Sequence, residues 1–136
     1  MPMFFNRRRK KYQFLIDDFG MSLVFDKKSK YFDNYQIQLR SGDFILNYIM
    51  DRSFLNIYIE SEYEDGYSLP LSFIRDYIYN PDHIGFFNFP DNDSNVNHLN
   101  DFIRKDFNKI VDLYSRDKYK ITYNMIEQLL AEQRKN

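Results

Sequence analysis

An α+β fold is expected from three observations. Residues 34–61 alternate with a period of two, the stretches on either side repeat near 3.6, and the strands stand in one block ahead of a block of helices. The chain opens with a helix over residues 4–19. Phe5, Tyr12, Leu15, Ile16 and Phe19 recur near helical spacing, and Gly20 supplies the left-handed residue that ends such a helix. Met21 to Phe25 reads as a strand whose apolar part is Leu23, Val24 and Phe25, followed by a polar loop at 27–30. In residues 35–40, Tyr35, Ile37 and Leu39 fall on one face and Gln36, Gln38 and Arg40 on the other, which describes a half-buried strand. Ser41-Gly42-Asp43 is a tight turn. Phe44 to Met50 is apolar on both faces except at Asn47, which places it centrally in a sheet. With Ile45 and Ile49 beside Phe44 and Leu46, such a strand fits a dimer through the sheet as well as a helix on each face, and the oligomeric state stays open. After Asp51-Arg52-Ser53, residues 54–61 set Leu55, Ile57 and Ile59 against Phe54, Asn56, Tyr58 and Glu60. Turns this short join neighbouring strands antiparallel, so the four strands form a meander.

Beyond Pro70 the helical period returns. Leu71, Ile74, Tyr77 and Ile78 mark a short helix that ends at Asn80-Pro81. Residues 81–95 read as a loop rich in Asp, Asn and Phe. Val96, Leu99, Ile103, Phe107, Ile110 and Tyr114 outline a long amphipathic helix. Met125, Ile126, Leu129 and Leu130 outline a last one, entered through Asn124 and Glu127 as a capping box. The expected architecture is an N-terminal helix, a four-stranded antiparallel meander sheet and three C-terminal helices packed on the sheet.

A length of 136 residues suits one domain, here 1–136 with residues 1–11 as a basic lead-in. At 43% hydrophobic and 29% charged the composition is globular. The absence of cysteine excludes a disulfide scaffold, a thiolate zinc site, an iron–sulfur cluster and a cysteine nucleophile, and it fits a reducing compartment. No apolar run nears the ~20 residues of a membrane span. The apolar residues at the start precede the charges, the reverse of a secretory signal. A soluble, cytoplasmic protein without a membrane partner is expected.

Charge is distributed unevenly. Of the 19 basic residues five stand together at Arg7, Arg8, Arg9, Lys10 and Lys11, and the 14 that remain face 20 acidic ones. The run would serve as a nucleic-acid arm only with basic partners elsewhere, and it reads better as the exposed start of the first helix. An acidic body would repel a polyanion. Tyr and Phe number 12 and 14, more rings than one small core readily absorbs, so some are expected at an interface.

No catalytic set emerges. The glycines, Gly20, Gly42, Gly66 and Gly85, are isolated, which excludes a phosphate-cradling glycine loop. There is no nucleophile elbow and no kinase-type set. His98 and Asp101 share a helix face, but two ligands do not make a zinc site. Asp91, Asp93 and Asn95 begin like a calcium loop that then fails, with Val96 where glycine is needed and Phe102 where a bidentate Glu is needed. Glu60, Glu62 and Glu64 alternate and are expected on one face, as a solvated acidic strand end rather than an acid–base pair. Phe86, Phe87 and Phe89 read as a hydrophobic plug rather than a ligand cage. No metal and no cofactor is expected, and no enzyme.

Residues 14–21, Phe-Leu-Ile-Asp-Asp-Phe-Gly-Met, then the alternating strand at 34–40 and Asp-Arg-Ser-Phe-Leu-Asn-Ile-Tyr-Ile at 51–59, carry a family likeness. The pattern, over residues 12–80, resembles a group of small bacterial proteins that includes immunity proteins of polymorphic toxin and contact-dependent inhibition systems. The resemblance implies an α+β fold and the neutralisation of a cognate protein toxin by binding it. It supplies no catalytic or binding residue to carry over.

The expected function is therefore a non-enzymatic inhibitor that occludes a toxin. Alternatives are a phage- or mobile-element inhibitor of a host defence complex, or a nucleic-acid module using Arg7–Lys11. If the helices cover the face of Tyr35, Ile37, Leu39, Leu55, Ile57 and Ile59, partner contact is expected on the other face, at Gln36, Gln38, Asn56, Tyr58 and Glu60. The acidic end at Glu62, Glu64 and Asp65 adjoins it.

Overall fold

The computed structural model describes residues 8–29, 34–51, 54–85 and 93–135, the last segment's side chains from Val96 on. Helix α1 (Arg9–Phe19) leads into strands β1 (Ser22–Lys28), β2 (Tyr35–Arg40), β3 (Phe44–Asp51), β4 (Phe54–Ser61) and β5 (Leu69–Pro70). Helices α2 (Leu71–Tyr79), α3 (Asp93–Leu113) and α4 (Tyr119–Arg134) follow, with a short 3-10 turn at Pro81–His83 between α2 and α3. The sheet is antiparallel throughout and its order, β1-β2-β3-β4-β5, is the order of the chain. The α+β architecture is as expected, with five strands instead of four. The added strand is two residues long, and Pro70, which can donate no ladder hydrogen bond, sits at the sheet edge where that costs nothing.

Helix α1 stops because Gly20 takes φ 68°, and its N–H and that of Met21 return to the carbonyls of Ile16 and Leu15. Strand β1 runs on to Lys28, past the point where the apolar residues end. As an edge strand it tolerates solvated lysines, and a bulge between Leu23 and Phe25 shifts its register on β2. Asp26 on β1 accepts from Arg8 Nε at 2.9 Å and from the Tyr12 hydroxyl at 3.0 Å, which fastens α1 to the sheet edge. Burial and the adjacent carboxylate push the Tyr12 phenol up to about 12.

The core lies between one sheet face and the helices. Ile37, Leu39, Phe44, Leu46, Tyr48, Leu55, Ile57 and Ile59 are buried there against Leu15, Ile74, Ile103, Ile110 and Ile126. Each such aliphatic side chain contributes roughly 1.5–3 kcal/mol by burial. Phe107 of α3 stacks on Phe19 of α1 at 4.4 Å between ring centres and leans on Phe44 of β3 at 5.7 Å. The Tyr48 hydroxyl donates to Asn100 Oδ1 at 2.8 Å, and Asn100 Nδ2 donates to the Lys11 carbonyl at 2.8 Å, so one amide joins β3, α3 and α1.

Two helix readings need correction. Asn124 and Glu127 do not cap α4, which begins at Tyr119. The buried residues Tyr119, Thr122 and Ile126 extend its inner face a full turn upstream. Helix α3 is bent at Asp106 (φ −117°, ψ 19°), whose buried carboxylate accepts the Tyr79 hydroxyl at 2.7 and 2.8 Å. Residues 81–83, read as loop, form the 3-10 turn. Phe5, Arg7, Phe86, Phe87, Phe89 and Asp91 lie outside the described residues, as do the side chains of Asp93 and Asn95.

Candidate functional site

The register of the sheet assembles its second face row by row. Arg40, Ile45 and Glu60 stand directly across from one another on β2, β3 and β4. The next row on the same face is Phe25, Gln38, Asn47, Tyr58 and Pro70, and the one after it Lys27, Gln36, Ile49 and Asn56. Asp51 and Phe54 close the far end. Among the described residues no helix lies on this face, and Phe25, Ile45, Ile49 and Tyr58 belong neither to the buried core nor to the side chains packed against it. All four are half-buried.

Polar side chains cross the middle of this surface. Gln38 Nε2 donates to Asn47 Oδ1 at 3.0 Å, and Asn47 Nδ2 donates to Glu60 Oε1 at 3.1 Å. Asn47 is only 7% exposed although it points away from the core, because its neighbours on both strands close over it. The three residues form a ladder across β2, β3 and β4 that ends in a carboxylate, an acceptor without donors of its own. The charges flanking it are separated by sign. Lys27 and Arg40 stand on β1 and β2, and Asp51 and Glu60 on β3 and β4. Lys27 lies over the Phe25 ring at 4.9 Å. At one end the face runs into an open concavity of about 390 Å³ between Lys27, Gln36, Ile49 and Asp51.

Gln36, Gln38, Asn56, Tyr58 and Glu60 are thus brought together on the uncovered face. The acidic end is not part of it. Strand pairing stops at Ser61, so the period-two alternation that would align Glu60, Glu62 and Glu64 lapses in the turn. The Glu62 side chain is 5% exposed, accepts from Arg40 Nε at 2.5 Å and closes on the Gly42 amide, so it holds the β2–β3 turn. Glu64 turns toward α4, accepting from the Tyr119 hydroxyl at 2.8 Å and pairing with Lys120 at 3.2 Å. Those two donors hold the Glu64 carboxyl below its ordinary range, and the carboxylate in turn raises both Tyr119 and Lys120. Asp65 is exposed in the turn.

Reading strands singly leaves Phe25, Lys27 and Asn47 off this face, although Ile45 and Ile49 already stand out as a second apolar side of the central strand. The signal was present: a central strand apolar on both faces, interrupted once by an amide, marks a second surface that neighbours complete. The basic run divides. Arg8 is engaged with Asp26, Arg9 Nε donates to Gln13 at 2.5 Å, and Lys11 gives its carbonyl to Asn100. His98 is exposed and Asp101 pairs with Arg104 at 2.8 Å. Among the described residues no cluster of three or more His, Asp or Glu side chains could hold a metal ion, and no helix is long and apolar enough to cross a membrane.

Comparison of the chain with protein-family models, with curated proteins and with solved structures finds no match.

Proposed function

We propose that this chain is a non-enzymatic protein-binding protein, and that it acts in the cytoplasm as an immunity protein that neutralises a protein toxin by covering it. One observation carries the reading: a sheet face wide enough for a partner, with half-buried apolar side chains that no helix among the described residues covers. Its mixture of rings, amides and sparse charge is the composition of protein interfaces rather than of solvated sheet faces. The carboxylates that might have done chemistry are spent on structure, Glu62 on a turn and Glu64 on α4. Beyond the first eleven residues the acidic excess favours fast encounter with a basic partner such as a nuclease toxin.

The test pairs the chain with the product of the gene immediately upstream of its own. Growth arrest by that product, relieved by this chain and lost again with Tyr58→Arg or Gln38→Arg, is the expected result. Both variants should keep the parent's circular dichroism and melting temperature. If the upstream product is harmless, or if the two face variants protect as well as the parent, the reading fails.

A further inference from the structure

The uncovered face is complementary to itself. Because β3 is the third of five strands, a two-fold axis laid along it exchanges β2 with β4 and β1 with β5 while leaving every row in place. In the first row Arg40 then faces Glu60 of a second copy, twice, and Ile45 meets Ile45. In the second row Gln38 faces Tyr58, Phe25 faces Pro70 and Asn47 meets Asn47. In the third Gln36 faces Asn56 and Ile49 meets Ile49. No like charges are opposed in these three rows; at the far end Asp51 comes to Asp51, a like-charge contact at the solvent-exposed rim of the face.

The groups that would meet have capacity to spare. Arg40 gives Nε to Glu62, and its terminal amino groups have no partner among the described residues. Glu60 receives Asn47 on Oε1, which leaves Oε2 without a donor among the described residues. Aligned sheets pack about 10 Å apart and cross at about 30°. With β2 and β4 only about 4.8 Å from the axis, that angle slides facing residues by about 2–3 Å, within reach of an Arg–Glu pair.

We infer that a second copy of this chain covers the face, giving a two-fold sandwich dimer with β3 on β3. The inference goes beyond the binding reading and shares with it only the uncovered face. A toxin seated there would compete with self-association. Five strands span about 19 Å and six to seven residues about 20 Å, a projected area on the order of 400 Å² per copy, about half that of a standard interface and in the range of weak, transient association. The dimer is therefore reversible, forming in the micromolar range, and not obligate.

The experiment is sedimentation equilibrium of the full chain from about 1 to 500 μM, followed by cross-linking. The mass should rise from 16.7 kDa toward twice that value. Glu60→Arg should weaken the dimer at least tenfold, and adding Arg40→Glu should recover part of the loss. Since the chain has no cysteine, single cysteines report contacts cleanly. Ile49→Cys should cross-link to itself through a short bis-maleimide, whose arm spans the gap between sheets about 10 Å apart that a disulfide cannot bridge. Gln38→Cys and Tyr58→Cys should cross-link when mixed and not separately. Asp101→Cys on α3 should not cross-link. A monomer at every concentration, or equal cross-linking at position 101, overturns the dimer and leaves the binding reading to its own growth assay. Self-association that survives Ile49→Arg in a folded variant also overturns it, since the contact would then lie elsewhere.

Discussion

Replacing Tyr48 with phenylalanine removes one oxygen from the most connected point of the interior. The phenol is buried and donates to Asn100 Oδ1 at 2.8 Å, and its pKa is driven far up by desolvation. Tyr48→Phe leaves a buried amide oxygen without its donor, which costs about 1–3 kcal/mol. Asn100→Ala strands two groups, the Tyr48 hydroxyl and the Lys11 carbonyl, and opens a small void, for about 2–4 kcal/mol. In the double variant the phenol is no longer there to be stranded, so the combined loss should fall short of the sum by about 1–2 kcal/mol. Urea unfolding followed by circular dichroism measures all three. With a slope of about 2 kcal/mol/M, a loss of about 2 kcal/mol moves the midpoint down by about 1 M. A Tyr48→Phe loss below about 0.5 kcal/mol, or strict additivity, would refute the claim that this amide joins three elements.

Further outcomes are expected. Glu62→Ala should destabilise by about 1–2 kcal/mol through the Gly42 amide rather than through the half-exposed Arg40, so charge reversal at the exposed Asp65 is the cleaner probe of steering and reversal at Glu62 is not. Gly85→Ala should cost about 1–3 kcal/mol in thermal unfolding, because φ is +81° and the new Cβ would lie 3.0 Å from Phe73 Cε1. Stability should fall as pH rises from about 10 to about 12. Unfolded phenols release their protons near 10, whereas burial holds that of Tyr12 to about 12 and raises Tyr48 and Tyr114 as well, so in this window the unfolded state binds fewer protons. A flat unfolding midpoint across that range would contradict the sign. Fluorescence anisotropy at about 150 mM salt should find no duplex or single strand bound tighter than about 1 μM. Tighter binding that is lost when Arg7–Lys11 become alanine would promote the nucleic-acid reading.

The alternation at 35–40 and 54–61 made the sheet, its buried face and its opposite face legible, because period two leaves no choice about which side each residue takes. Helices α2 and α3 were legible for the same kind of reason. What escaped was set by partners far along the chain. Strand β1 continues through lysines because β2 pairs with it, and β5 exists because β4 offers a free edge. The start of α4 was hidden by Tyr119 and Thr122, which look polar until Glu64 and the Leu113 carbonyl accept their hydroxyls. The face residues Gln38 and Glu60 could be named from one strand each. That Asn47 links them could be seen only once the register placed three strands side by side.

The sheet has a consequence for the order in which the chain matures during synthesis. Each of β1 to β5 pairs only with its neighbours in sequence, so the sheet can form hairpin by hairpin as it emerges, with short loops to close. Helix α1 leaves the ribosome before the strands but finds its hydrogen-bonding partner Asn100 89 residues later. Until then its Leu15 and Phe19, and the sheet face that awaits α3, are open to other chains. Stalled nascent chains ending before and after Asn100 has cleared the exit tunnel should differ sharply in protease resistance of α1, and equal resistance in both would place the docking of that helix earlier.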